Sequence, residues 1–180
     1  MGDSTVWTLA IAAVTGGTAV LASWVAGRGS TRAARIQAEI AARAQRTERL
    51  RESRRTAYLD LIEQTHRLGE LYWEILAVLR NSAGTGDRGT AEVLKELHDR
   101  EIAEYAKIRR CARVVELEGP PEAAAAALAL QRTTGTFYRC VKGSMEGDTD
   151  AQQEFGTAFS PFWKALEDFI DAARAAHQEG

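Results

Sequence analysis

From Ser4 to Gly27 the chain runs 24 residues without a single charge, framed by Asp3 and Arg28. As a helix this stretch measures about 36 Å, enough for a hydrocarbon core of about 30 Å with some tilt. Trp7 and Trp24 stand near its two ends, about 25 Å apart at helical rise, where aromatic side chains favour membrane interfaces. Two other readings compete. A cleaved signal peptide opens on positive charge, which Met1-Gly2-Asp3 does not offer, and bulky Trp24 lies two residues before Ala26, where a cleavage motif needs a small side chain. A buried core helix normally keeps a polar stripe for water, and no charge marks any face here. Residues 1–27 therefore predict a single transmembrane helix. Within it Ala12 and Gly16 are four apart, as are Ala13 and Gly17. Small residues at that spacing let two helices approach closely, so Ala12, Gly16 and Gly17 form a candidate self-association face.

Charge is unevenly placed. Residues 28–55 hold nine arginines and three glutamates, while residues 56–180 hold 14 basic and 21 acidic side chains. Arginines on the C-terminal side of the span predict that side to be cytoplasmic, with the N-terminus outside. On a helical wheel Arg28, Arg32, Arg35, Arg43 and Arg46 share one face with Glu39, opposite alanines. Residues 28–56 can lie on anionic headgroups, each arginine near the surface contributing about 1 kcal/mol. They can equally continue as a solvated stalk, whose far arginines lie beyond a screening length of about 8–10 Å. Nucleic acid is the weakest of the three partners, because no aromatic residue interleaves the arginines between Trp24 and Tyr58. The expected partners are the lipid bilayer and an unidentified protein, with homo-oligomer formation through the span as a further option.

Residues 57–180 read as an all-α body. Tyr58, Leu61, Thr65, Leu68, Tyr72, Ile75 and Leu79 recur every three or four residues, broadened by Ile62, Leu71, Trp73 and Leu76, as on one face of a bundle helix. "NSAGTGDRG" ends that helix. A second starts near Thr90 as cap, with Leu94, Leu97, Ile102, Tyr105, Ile108, Ala112 and Val115 facing inward. Gly119-Pro120-Pro121 stops it, and proline suits the first turn of a third. That third helix offers Leu130, Phe137, Val141 and Met145, with Gly135 as a point of bending. After "KGSMEGDTD" the last segment repeats Phe155, Phe159, Phe162, Leu166, Phe169, Ile170 and Ala173, restarting at Ser160-Pro161. Short connections make neighbours antiparallel, so the body is a four-helix bundle.

Motifs with chemical content are few. "GTGDRG" matches a dinucleotide fingerprint in letters but lacks the preceding strand. Glu63 and His66 have the E-x-x-H spacing of di-iron bundles, without the second motif that site needs. His98, beside Leu94 and Leu97, reads as a packing residue. Cys111 follows Arg109 and Arg110, which would lower a thiol pKa if burial did not oppose them; with Cys140 it reads as a reduced, apolar side chain. Histidines and interior acids look too few for a converged polar pocket, so no cofactor, metal or catalytic residue is expected.

The Ala/Arg-rich run "STRAARIQAEIAARAQRTERLRESRR" after a weakly hydrophobic span resembles small single-span membrane-anchored proteins of actinobacterial type, some of them KilB-like and tied to plasmid transfer. The resemblance covers residues 1–56 and implies a membrane address. The expectation is a non-enzymatic scaffold presenting an acidic helical body at the cytoplasmic face. A membrane-acting toxin or defence effector, or a plasmid-transfer accessory protein, is the alternative.

Overall fold

The computed structural model describes the backbone of residues 3–82 and 88–179, and side chains within 35–81, 89, 91–148 and 150–178. Among the described residues every element is a helix: α1 (Asp3–Ser82), α2 (Arg88–Glu118), α3 (Pro121–Met145), α4 (Thr149–Thr157) and α5 (Phe159–Glu179). The all-α expectation holds. The chain divides into two compact units, Met1–Arg49 and Leu50–Gly180.

In the first unit, every residue from 35 to 49 is exposed, Ile36 and Ile40 included. Arg35, Arg43 and Arg46 lie on this exposed part of α1. Arg28, Arg32, Ala12, Gly16, Gly17 and the rest of the uncharged stretch fall outside the residues whose side chains are described. Among the described residues no helix is long and apolar enough to cross a membrane.

In the second unit the apolar stripe of α1 becomes the spine of a bundle. Leu61, Leu68, Leu71, Tyr72, Ile75, Leu76 and Leu79 are all buried. Cross-helix partners fix the directions. Ser53 Oγ donates to Glu118 Oε2 (2.5 Å), Gln64 meets Glu104, and Arg100 meets Glu74 (2.9 Å), so α2 runs antiparallel to α1. Tyr105 meets Gln131 and His98 meets Tyr138, so α3 reverses again. Tyr58 meets Phe169 and Tyr72 meets Phe155, which sets α4 and α5 antiparallel to α1. The order is up, down, up, down, as short connections require. Arg54 Nε also donates to the Glu118 carbonyl (2.6 Å), satisfying a helix-end acceptor that would otherwise lack a partner.

Local chemistry explains the boundaries. Pro120 is extended at the N-cap of α3 and Pro121 fills its first position, where a missing N–H costs nothing. α3 continues unbroken through Gly135. Gly147 takes a φ of +88°, a conformation that favours glycine, and Asp148 Oδ1 then accepts from Asp150 N (2.9 Å) to cap α4.

Several sequence expectations need correction. α2 begins at Arg88, ahead of Thr90. The last break falls at Ala158, and Ser160 lies inside α5 instead of capping it. Pro161 has no N–H to bond one turn back, so the ladder is interrupted ahead of it; Ala158 N divides its bond between Glu154 O (3.1 Å) and Phe155 O (3.3 Å). Trp73, Ile102 and Met145 are exposed. Trp73 and Ile102 each sit about 100° around the helix from an occupied core position, Tyr72 and Glu101 respectively. Met145 is the last residue of α3.

Two glycines make opposite demands. A Cβ on Gly69 would stand 2.6 and 2.8 Å from the Trp163 indole, whereas one on Gly135 would meet nothing within 4 Å. Gly69→Ala should therefore destabilise the body by about 1–3 kcal/mol through overpacking. Gly135→Ala should stabilise it by about 0.5–1 kcal/mol through helix propensity. Urea denaturation of the two variants reads both signs.

Candidate functional site: a buried carboxylate in a cavity

The helical phase of α2 brings Leu94, Leu97, Ile108, Ala112 and Val115 into the core, and it brings Glu101 with them. This glutamate is 1% exposed, as deep as the leucines around it. A charge at that depth is costly unless it is paired and hydrogen-bonded. Only part of it is. His98 Nδ1, one turn earlier, lies 2.9 Å from Glu101 Oε2. Glu101 Oε1 has no hydrogen-bond partner, and neither does the hydroxyl of fully buried Tyr72 on α1.

Both side chains line a cavity of about 320 Å³ between α1, α2 and α3. Tyr72 and Glu101 form its buried end. Ile102, Gly135 and Tyr138 are exposed and form its mouth, and Tyr105 and Thr134 complete the wall. Gln131 Nε2 donates to Tyr105 Oη (3.0 Å), leaving the Tyr105 hydroxyl proton to point elsewhere. Thr134 Oγ1 donates to the Gln131 carbonyl (2.6 Å). The His98 ring tilts against Tyr138 at 5.2 Å. His98 is thus a packed and satisfied side chain, as its apolar neighbours predict.

Burial pushes the Glu101 carboxyl above the ordinary glutamate range, with His98 pulling the other way. Burial likewise drives the Tyr72 phenol well up, and Glu101 and Tyr105 add to it. Glu101 is a buried acid that a reading of α2 by residue type alone does not place in the core.

The other sequence candidates are dispersed. Glu63 pairs with Arg67 on the surface of α1, and His66 leans on Trp163 at 5.6 Å. Among the described residues no group of His, Cys, Asp and Glu could hold a metal ion. A second hollow, about 410 Å³ between α1 and α2, is lined by Asp60, Glu63, Arg67, Lys107 and Arg110 with Cys111. Glu63 there pairs with Arg67, and Lys107 with neighbouring Glu104 at 2.6 Å. Burial, then Asp60, raises the Cys111 thiol against the opposing pull of Arg110, and burial pushes Cys140 up to about 11. Both cysteines are free. "GTGDRG" falls largely outside the described residues. No family model, no curated protein and no solved structure matches the chain.

An unpartnered buried hydroxyl weakens a fold, at about 1–3 kcal/mol for the lost hydration. Tyr72→Phe keeps the ring and removes that cost, so it should raise stability by about 1 kcal/mol in thermal or urea unfolding. Glu101 has a folded pKa above its unfolded one, so its favourable contribution is complete below the unfolded value and is lost as pH rises through the folded value. The stability advantage of Glu101→Gln over the parent chain should therefore widen as pH rises from below 4.5 to neutrality.

Proposed function

We propose that this chain is a membrane-anchored, non-enzymatic helical protein that works by binding. In this reading residues 1–27 form a single span, residues 28–56 a basic juxtamembrane helix, and the acidic bundle stands at the cytoplasmic face.

The observation that supports this reading best is α1. Residues 35–49 are helical yet bury no side chain, and their apolar Ile36 and Ile40 are 51% and 62% exposed. A helix exposed on every face gains nothing from tertiary packing, so its order depends on propensity and on what its ends are fixed to. At one end α1 continues into the buried stripe that starts at Ala57. At the other it continues into the uncharged stretch, for which a bilayer is the matching solvent. Arg35, Arg43 and Arg46, exposed on this segment, suit a neighbouring anionic surface.

Binding is favoured over catalysis by the interior chemistry. Glu101 has one titratable partner, His98, and the thiols are held up in pKa, away from the reactive thiolate. Alkaline carbonate extraction tests the anchor. The full chain should stay with the membrane pellet and a version lacking residues 1–27 should be released. Release of the full chain into the supernatant would remove the membrane reading.

A further inference from the structure

We propose that the cavity between α1, α2 and α3 is a binding site for a small organic ammonium ion, held by the free oxygen of Glu101 among tyrosine rings. The inference does not depend on the membrane reading, because every residue it uses lies in the second unit.

Three independent observations converge on this ligand chemistry. The first is the unpaired oxygen. Glu101 Oε1 is buried without a donor, although the carboxylate's other oxygen is bonded to His98. A carboxylate accepts only, so what is missing at Oε1 is a donor. The second is charge. Among the described residues no lysine or arginine lines the cavity, so none of them brings a permanent cation to it. A water molecule in the cavity could donate to Oε1, but it would bring no charge and leave the buried carboxylate with titratable His98 alone as its ionic partner. A ligand N–H bearing positive charge supplies both. The third is the wall. Tyr105 and Tyr138 line the cavity beside the acid, and aromatic faces attract cations, by up to about 2 kcal/mol when desolvated; the Tyr72 ring is taken up by Phe137 and turns only its hydroxyl to the site. An anion would meet Glu101 unpaired, and a purely apolar ligand would bury two unsatisfied oxygens more deeply.

Size and access fit as well. About 320 Å³ stands at the low end of small-molecule sites, which sets the ligand class as a small amine. The mouth is open: Ile102 and Tyr138 are 45% and 43% exposed, and Gly135 beside them leaves empty space where a side chain would be. The Tyr72 hydroxyl, also unpartnered, is at the buried end to receive a second polar atom or N–H of the ligand. Retaining two buried oxygens without partners costs stability, and a ligand that satisfies them offsets that cost when it binds.

The test is calorimetric titration of the full chain with tetramethylammonium, 2-phenylethylamine and 1,4-diaminobutane, three shapes of ammonium, and with 2-phenylethanol as the uncharged counterpart. At least one ammonium compound should bind one-to-one, at least tenfold more tightly than 2-phenylethanol. Glu101→Gln should weaken that binding at least tenfold. Gly135→Leu places a side chain at the open mouth, away from any neighbour within 4 Å of a Cβ, and should abolish binding while leaving the helical content unchanged. Binding of none of the three ammonium compounds overturns the proposal. So does an equal affinity for 2-phenylethanol, or undiminished binding by a folded Glu101→Gln or Gly135→Leu variant.

Discussion

Tyr72 is where the bundle closes. Its ring stacks on Phe137 of α3, centroids 3.8 Å apart and 9° from parallel. It also meets the edges of Phe155 on α4 and Phe162 on α5, at 6.0 and 5.6 Å. Phe137 repeats the pattern, meeting Phe155, Phe159 and Phe162 edge-on. Each such pair contributes about 0.5–1.5 kcal/mol beyond the area it buries. Through this one ring α1, α3, α4 and α5 share a centre. The same side chain ends in a hydroxyl that touches nothing polar. Core and cavity are therefore two ends of one residue.

That arrangement explains why the polar interior is tolerated. The ring's packing is strong enough to hold its hydroxyl in a place the hydroxyl does not favour. Glu101 is held in a similar way, between buried Leu97 and Ile108 on its own helix and with His98 taking one of its oxygens. A stability-optimised bundle would carry phenylalanine and a leucine at these two positions. Local rules broken inside an otherwise consistent core mark places where a fold carries something besides its own stability.

Most of the body was legible in the sequence because its helices are amphipathic and sharply punctuated. Tyr58, Leu61, Leu68 and Ile75 are buried as their spacing predicts, as are Phe155, Phe162 and Phe169. Pro120-Pro121 marks the start of α3 because proline tolerates little else. The cavity was not legible, and the reason is instructive. Reading α2 by residue type puts Ile102 on the inner face; reading it by phase puts Glu101 there, four residues after Leu97 and seven before Ile108. Hydrophobic periodicity is a property of positions, and a charge that falls in step with the stripe is the signal that was available. That Tyr72 lacks a partner depends on three other helices, so no spacing in α1 alone could disclose it. Ser160 misled for a similar reason: Ser-Pro reads as a cap, but the N–H that Pro161 lacks is the one that would bond the Thr157 carbonyl, and the break between helices falls there, at Ala158.

The notch at Gly69 has a consequence for alignment. Trp163 passes over α1 where there is no side chain, at a distance no Cβ could share. One turn along the helix in either direction the neighbours are Thr65, His66, Tyr72 and Trp73. An indole moved by a turn would land on bulk instead of a gap. Stripes of leucine and phenylalanine by themselves are permissive about sliding, because each turn resembles the next. A single gap matched to the largest side chain on the facing helix is not permissive. It makes the pairing of α1 with α5 a matter of address, fixed to one turn among several of similar apolarity.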